Sequence, residues 1–161
     1  MWVSSLAQRT NAKLWWAIFA ISVLCFIITI ETLGQIFFIN RTESMPRGIY
    51  VKRTKSNIEF NDVIVFYFNE FKGNLIKHVA AISPSEFCFD EDASLWVDGF
   101  PIVQINIEKY PGKKPNQSQC QRLKADEILV LGDHPNSYDS RYFGPIKLKC
   151  LVAQVELFWE F

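Results

Sequence analysis

The chain has 161 residues, and once a membrane segment of roughly 40 is set aside the remaining 120 or so fit one domain. Lysine plus arginine equals aspartate plus glutamate at 17 each, so no broad basic field exists and a nucleic-acid partner is not expected. The 14 Phe and 5 Trp are many for this length, and several fall between Leu14 and Phe38, which points to lipid before it points to a core.

In chain order, the first element is apolar. Leu14 to Ile30 holds no charged side chain, and the stretch stays mostly apolar past Glu31 to Ile39. About 20 helical residues cross a hydrocarbon core, so this stretch suffices. Arg9 and Lys13 before it favour a cytoplasmic N-terminus, and Trp15 and Trp16 suit an interface. A cleaved signal peptide is the competing reading. It is disfavoured because the apolar run is longer than about 7–15 residues and no Ala-x-Ala follows it. The expected organisation is a cytoplasmic tail over 1–13, an anchor over 14–39 with Glu31 interfacial, and an extracytoplasmic domain over 40–161.

Beyond Arg41 the pattern turns to strands. Gly48 to Arg53 alternates weakly. Asp62–Phe68 and Leu75–Ile82 are β-branched and aromatic runs joined by a Lys72-Gly73-Asn74 turn, which predicts a hairpin. Leu95–Val97, Asp98-Gly99 and Phe100–Ile107 predict a second hairpin around a favoured two-residue turn. Lys109–Gln121 reads as a loop within an irregular excursion over about 83–126. Glu127–Leu131 and Leu148–Phe161 supply later strands, so a mainly β domain, closed or partly closed, is expected. Cys88 and Cys120 are the favoured disulfide partners in an oxidising compartment. No cysteine or histidine cluster has zinc-ligand spacing, and neither metal nor other cofactor is expected.

Three segments carry chemistry. Ser44 stands in a bend, because Pro46 restricts Met45 to extended backbone and Gly48 adds freedom. Lys77 interrupts the apolar run Leu75–Ile82, and alternation puts it on one face with Leu75, Val79 and Ala81. A buried lysine sheds its proton readily and can then serve as a general base. Gly132–Pro145 is dense in turn formers, and its Ser137, Asp139, Ser140 and Arg141 can build a polar network around an amine. It lacks the carboxylate spacing of a calcium loop.

Taken together, the apolar anchor, Ser44-Met-Pro-Arg-Gly-Ile-Tyr50, Ile76-Lys-His-Val79, Val97-Asp-Gly99 and Gly132-Asp-x-x-x-Ser-x-Asp-Ser-Arg141 resemble the type I signal peptidases. The resemblance is closer to the branch serving conjugative transfer, the TraF-like peptidases. It implies a signal-peptidase-like β-barrel or coiled β-sheet domain on one N-terminal transmembrane helix, with Ser44 as nucleophile and Lys77 as general base. It further implies that Ser137 hydrogen-bonds the lysine amine and that Asp139 and Arg141 form a supporting ion pair. The Ser44 N–H would serve the oxyanion hole, with the Thr42 hydroxyl as a second donor. The implied activity is that of a membrane-bound serine endopeptidase of the inner membrane acting on exported precursors, such as a propilin.

Departures from the commoner pattern lie at His78 after the lysine, at Ser83-Pro84, and at His134-Pro135. They bear on specificity more than on the dyad. A Ser-His-Asp triad drawn from His78, His134, Asp133 and Asp139 is the weaker alternative, since His78 faces away from Lys77 on an alternating strand. A non-catalytic, membrane-anchored assembly protein is the competing function.

Overall fold

A computed structural model of the protein describes residues 3–54, 57–89, 94–104 and 120–161. Two compact units emerge, Met1–Phe37 and Phe38–Phe161. The first is one long helix, α1 (Val3–Ile36). Its portion Lys13–Ile36 is long and apolar enough to cross a membrane, 24 residues rising about 36 Å. Thr29 and Thr32 donate their hydroxyls to the carbonyls of Cys25 and Ile28, so these polar groups are satisfied within the helix. The helix begins well ahead of Leu14 and stops at Ile36, where the chain becomes strand instead of continuing helical to Ile39.

The second unit is mainly β, as expected. Its strands are β1 (Phe37–Asn40), β2 (Gly48–Lys52), β3 (Val63–Phe68), β4 (Gly73–Ile82), β5 (Glu86–Phe89), β6 (Ser94–Val97), β7 (Phe100–Gln104), β8 (Gln121–Arg122) and β9 (Glu127–Leu131). A one-turn helix α2 (Ser140–Phe143), β10 (Ile146–Lys147) and β11 (Leu151–Glu160) complete it. A seven-stranded sheet runs β1-β2-β11-β3-β4-β9-β10, and a four-stranded sheet runs β7-β6-β5-β8.

The first predicted hairpin is β3–β4, with Val63 opposite His78, Ile64 opposite Lys77 and Phe68 opposite Gly73. β3 reads as a continuous apolar run because it lies inside the sheet, paired with β4 and β11, and is covered on both faces. Ile64 and Phe66 pack with Val79, Ile128 and Val130, while Val65 packs with Met45, Tyr50 and Val155. The second hairpin is β6–β7, and its Asp98 and Gly99 take the positive φ values, 50° and 82°, that a two-residue turn needs. Its expected continuation over 105–107, like most of the loop expected over 109–121, lies outside the described residues.

Two readings are corrected. The stretch 83–126 is not simply irregular. Its strands β5 to β8 form the second sheet, the Cys88–Cys120 disulfide ties it, and Phe87, Phe89, Leu95 and Val97 join a core with Ala80, Ala81 and Leu129. The hairpin of β6 and β7 was expected there, but β5 and β8, of four and two residues, leave too few alternations to be recognised. Gly48 is needed for close approach and not for flexibility. A Cβ there would strike the Trp159 carbonyl oxygen of the neighbouring β11 and the Leu157 side chain.

Candidate active site

Ser44 sits in the turn between β1 and β2. Met45 anchors that turn by burying its side chain against Tyr50, Val65, Ile76 and Val155. Two side chains from the flanking strands clamp the backbone. The Asn40 carboxamide donates toward the carbonyls of Thr42, Met45 and Pro46 at 3.0, 2.9 and 3.0 Å. The Tyr50 hydroxyl donates to the Pro46 carbonyl at 2.8 Å. Burial, helped by the negative charges of Asp133 and Glu160, pushes the Tyr50 phenol up to about 12, so it remains a donor across the neutral range.

Lys77 is on β4, between β3 and β9, and is 2% exposed. Its Nζ donates to Ser44 Oγ at 2.7 Å across 33 positions of sequence. Burial lowers the amine from its ordinary 10.5 to about 8. The charges of Asp139 and Asp133 pull it back up, and that of Arg141 pushes it further down. An amine poised there exists in both protonation states near neutrality, as a general base requires. The pair opens onto a cleft of about 420 Å³ whose walls include Thr42, Phe71, Leu75, Ser137 and Tyr138.

The third element is the loop from β9 into α2. Asp139 and Arg141 are 0% and 1% exposed and form a two-pronged pair, Nε to Oδ1 at 2.7 Å and Nη2 to Oδ2 at 2.6 Å. Arg141 also donates to the carbonyls of Pro135 and His134, while Asp139 accepts from the Gly132 N–H and caps α2. The Ser140 hydroxyl accepts from the Val130 N–H, tying the helix to β9. The loop is thereby held against the serine turn, and a Cβ on Gly132 would lie 2.5 Å from the Ser44 carbonyl oxygen and clash with Ser137 Oγ.

Of the residues singled out from the sequence, Ser44, Lys77, Thr42 and Ser137 line one cleft, and Asp139 and Arg141 brace it from within. Two of them differ in detail from the expectation. The buried Ser137 hydroxyl has no hydrogen-bond partner among the described residues, so the bond to the Lys77 amine is not made. The Thr42 hydroxyl donates to Asn40 Oδ1 at 2.8 Å. His78 approaches Asp133 at 3.2 Å and the Asn61 carbonyl at 3.3 Å, while His134 Nδ1 accepts from the Asn136 N–H.

A family model described as "Signal peptidase, peptidase S26" matches residues 11–160. The chain belongs to this family. A signal peptidase I from Bacillus caldolyticus is 27% identical over 113 residues, covering 62% of this chain but only 61% of that relative's length. A crystal structure of a signal peptidase I from Enterococcus faecalis is 19% identical, with a TM-score of 0.44, over 64% of this chain and 100% of that one.

Within this member of the signal peptidase family, sequence reasoning gave no role to Asn40, Tyr50 or Gly132. Asn40 had one usable signal. A lone carboxamide ends an apolar run two residues before Thr42, the spacing at which an asparagine side chain bonds its own backbone. Gly132 and Tyr50 offer no such local signal, since Gly132 is needed for a close tertiary approach to the Ser44 carbonyl and the Tyr50 hydroxyl donates to the Pro46 carbonyl across a turn.

Proposed function

We propose that the chain is a membrane-anchored serine endopeptidase that cleaves exported precursor proteins, with Ser44 as nucleophile and Lys77 as general base. The observation that carries this reading is the 2.7 Å contact between a buried amine and the serine hydroxyl. Neutral Lys77 takes the Ser44 proton as Oγ bonds to the scissile carbonyl carbon. The Ser44 N–H stabilises the resulting oxyanion, a contribution of about 3–4 kcal/mol per donor. The protonated lysine then gives its proton to the leaving amine as the C–N bond breaks, and water, deprotonated by the same amine, releases the acyl group. Ser137 is assigned to hydrogen-bond the amine when it turns from Ser44, and the Asp139–Arg141 pair to hold the loop that carries Ser137.

Arg9 and Lys13 support an N-terminus in the cytoplasm, which puts the catalytic domain on the periplasmic side of the inner membrane. The resemblance of Ser44–Tyr50 to the conjugative branch supports a propilin or another conjugative-transfer component as substrate, with small side chains one and three residues before the cut. Should a substrate amine replace water at the acyl-enzyme, the product is cyclic. No cofactor takes part in this scheme.

The test uses the full chain in detergent or membranes. Ser44→Ala and Lys77→Ala are each expected to abolish precursor cleavage while melting behaviour shows a folded protein. Cleavage retained by either variant overturns the assignment, and a membrane function retained without any cleavage identifies a scaffold instead.

A further inference from the structure

Phe71 is a large apolar side chain that the fold leaves 54% exposed, in the turn between β3 and β4. It is not loose there. Its ring lies 5.6 Å from that of Phe68 and 5.3 Å from that of Tyr138. Tyr138 in turn stacks on Tyr142 at 5.7 Å, with 17° between the ring planes, and meets Phe143 edge-on at 5.4 Å. The Tyr138 hydroxyl donates to Glu70 Oε2 at 3.0 Å, so a ring contact and a hydrogen bond fasten the hairpin turn to the loop that leads into α2. Rings held by their neighbours make a preformed apolar surface, which loses little entropy when something binds to it.

What covers this surface follows from where it lies. Phe71 and Tyr138 line the same cleft as Ser44 and Lys77, and so does Leu75, which shares a face of β4 with Lys77. From Lys77 back to Gly73, where the turn ends, β4 advances about 13 Å, the length of about four extended residues. We propose that Phe71 and Tyr138 form a specificity site for a large apolar side chain of the substrate, about four residues before the scissile bond. The inference rests on the serine–lysine reading above and adds to the small side chains expected nearer the cut. The N-terminal side is assigned because an exported precursor carries its apolar segment ahead of the cleavage point. A cationic side chain is the poorer match, since Glu43 is already paired with Arg47 and Glu70 with the Tyr138 hydroxyl.

The experiment uses the full chain in detergent and pairs of internally quenched peptides that differ only at the fourth or the fifth residue before the cut, Leu in one and Ser in the other. The unaltered chain is expected to cleave one of the Leu peptides with a kcat/KM about tenfold above that of its Ser partner, mainly through KM. In Phe71→Ala and in Tyr138→Ala that ratio is expected to fall to about twofold or less. In Tyr138→Phe, which keeps the ring, it should stay near tenfold. Ratios near one at both positions in the unaltered chain overturn the proposal. A tenfold ratio retained in Phe71→Ala, whatever the loss of rate, makes Phe71 a strut of the loop and overturns it too. If Phe71→Ala does not fold, Phe71→Glu at this exposed position decides: the preference is expected to move from Leu toward Lys, and an unmoved preference overturns the proposal. Cleavage of any of these peptides by Ser44→Ala would instead bring down the underlying reading, so the two failures are distinct.

Discussion

Lys77 and Arg141 are buried to the same degree, 2% and 1% exposed, yet they are provided for in opposite ways. Arg141 meets a carboxylate with two prongs and two backbone carbonyls. Lys77 meets the hydroxyl of Ser44, and the nearest compensating charges act on it from a distance. Burial alone does not decide whether a cation persists in a protein interior; its partners do. The fully paired guanidinium is a structural strut, while the under-provided amine is pushed toward neutrality and becomes available for proton transfer.

The sharpest way to break this contrast is to put an arginine where the lysine stands. Lys77→Arg keeps the charge and much of the volume but cannot become neutral. It is expected to lower kcat/KM by at least about 10³-fold, as measured by cleavage of a precursor peptide. Activity of the unaltered chain should rise with pH through about 8, because burial lowers the amine to that value.

Removing the strut's partner has the next largest effect. Asp139→Ala leaves Arg141 charged in the interior without its carboxylate, and denaturant titration is expected to show a loss of about 3–5 kcal/mol. Activity falls with it, because Gly132 and the loop beside Ser44 lose the Asp139 carboxylate as their anchor.

The converse substitution, Lys77→Met, is expected to abolish cleavage yet stabilise the fold by on the order of 2 kcal/mol at pH 7. The amine titrates near 8 when folded against an ordinary 10.5, so between those values the unfolded chain binds more protons and stability rises with pH. Below about 8 the penalty of burying the lysine stands in full. The gain of Lys77→Met, followed by thermal melts from pH 7 to 10.5, should therefore shrink across that window.

Gly132→Ala is expected to have a smaller effect, roughly 1–3 kcal/mol in stability, since the added methyl must displace Ser137 and the Ser44 backbone. A chain that tolerates it with full activity would show that the loop and the serine turn are not pressed together.

The sequence makes one half of this comparison easier to see than the other. A lysine inside Leu75–Ile82 stands out against its apolar neighbours, whereas Ser44 lies in a common Ser-x-Pro-x-Gly turn pattern and gains weight only beside that lysine and through the family resemblance. Strand β3, the β6–β7 turn and the apolar helix were visible for the same reason, because their signals are local and periodic. The carboxamide of Asn40 was given no task, although its partners lie only two to six residues along the chain, because the bonds of a single side chain to its own turn leave no periodic signal. Gly48 was misread because a glycine needed for close backbone approach looks in sequence like one needed for a turn. The register shift between Val79 and Ala81, which buries both Ala80 and Ala81, also breaks the simple alternation that placed Lys77, Val79 and Ala81 on one face.

Nitrogen NMR of the Lys77 side chain in the full-length protein, followed as a function of pH, tests the central claim most directly. A midpoint near 8 is expected from burial beside Ser44. A midpoint at the ordinary value of 10.5 would leave the amine charged throughout the neutral range and contradict its service as the base.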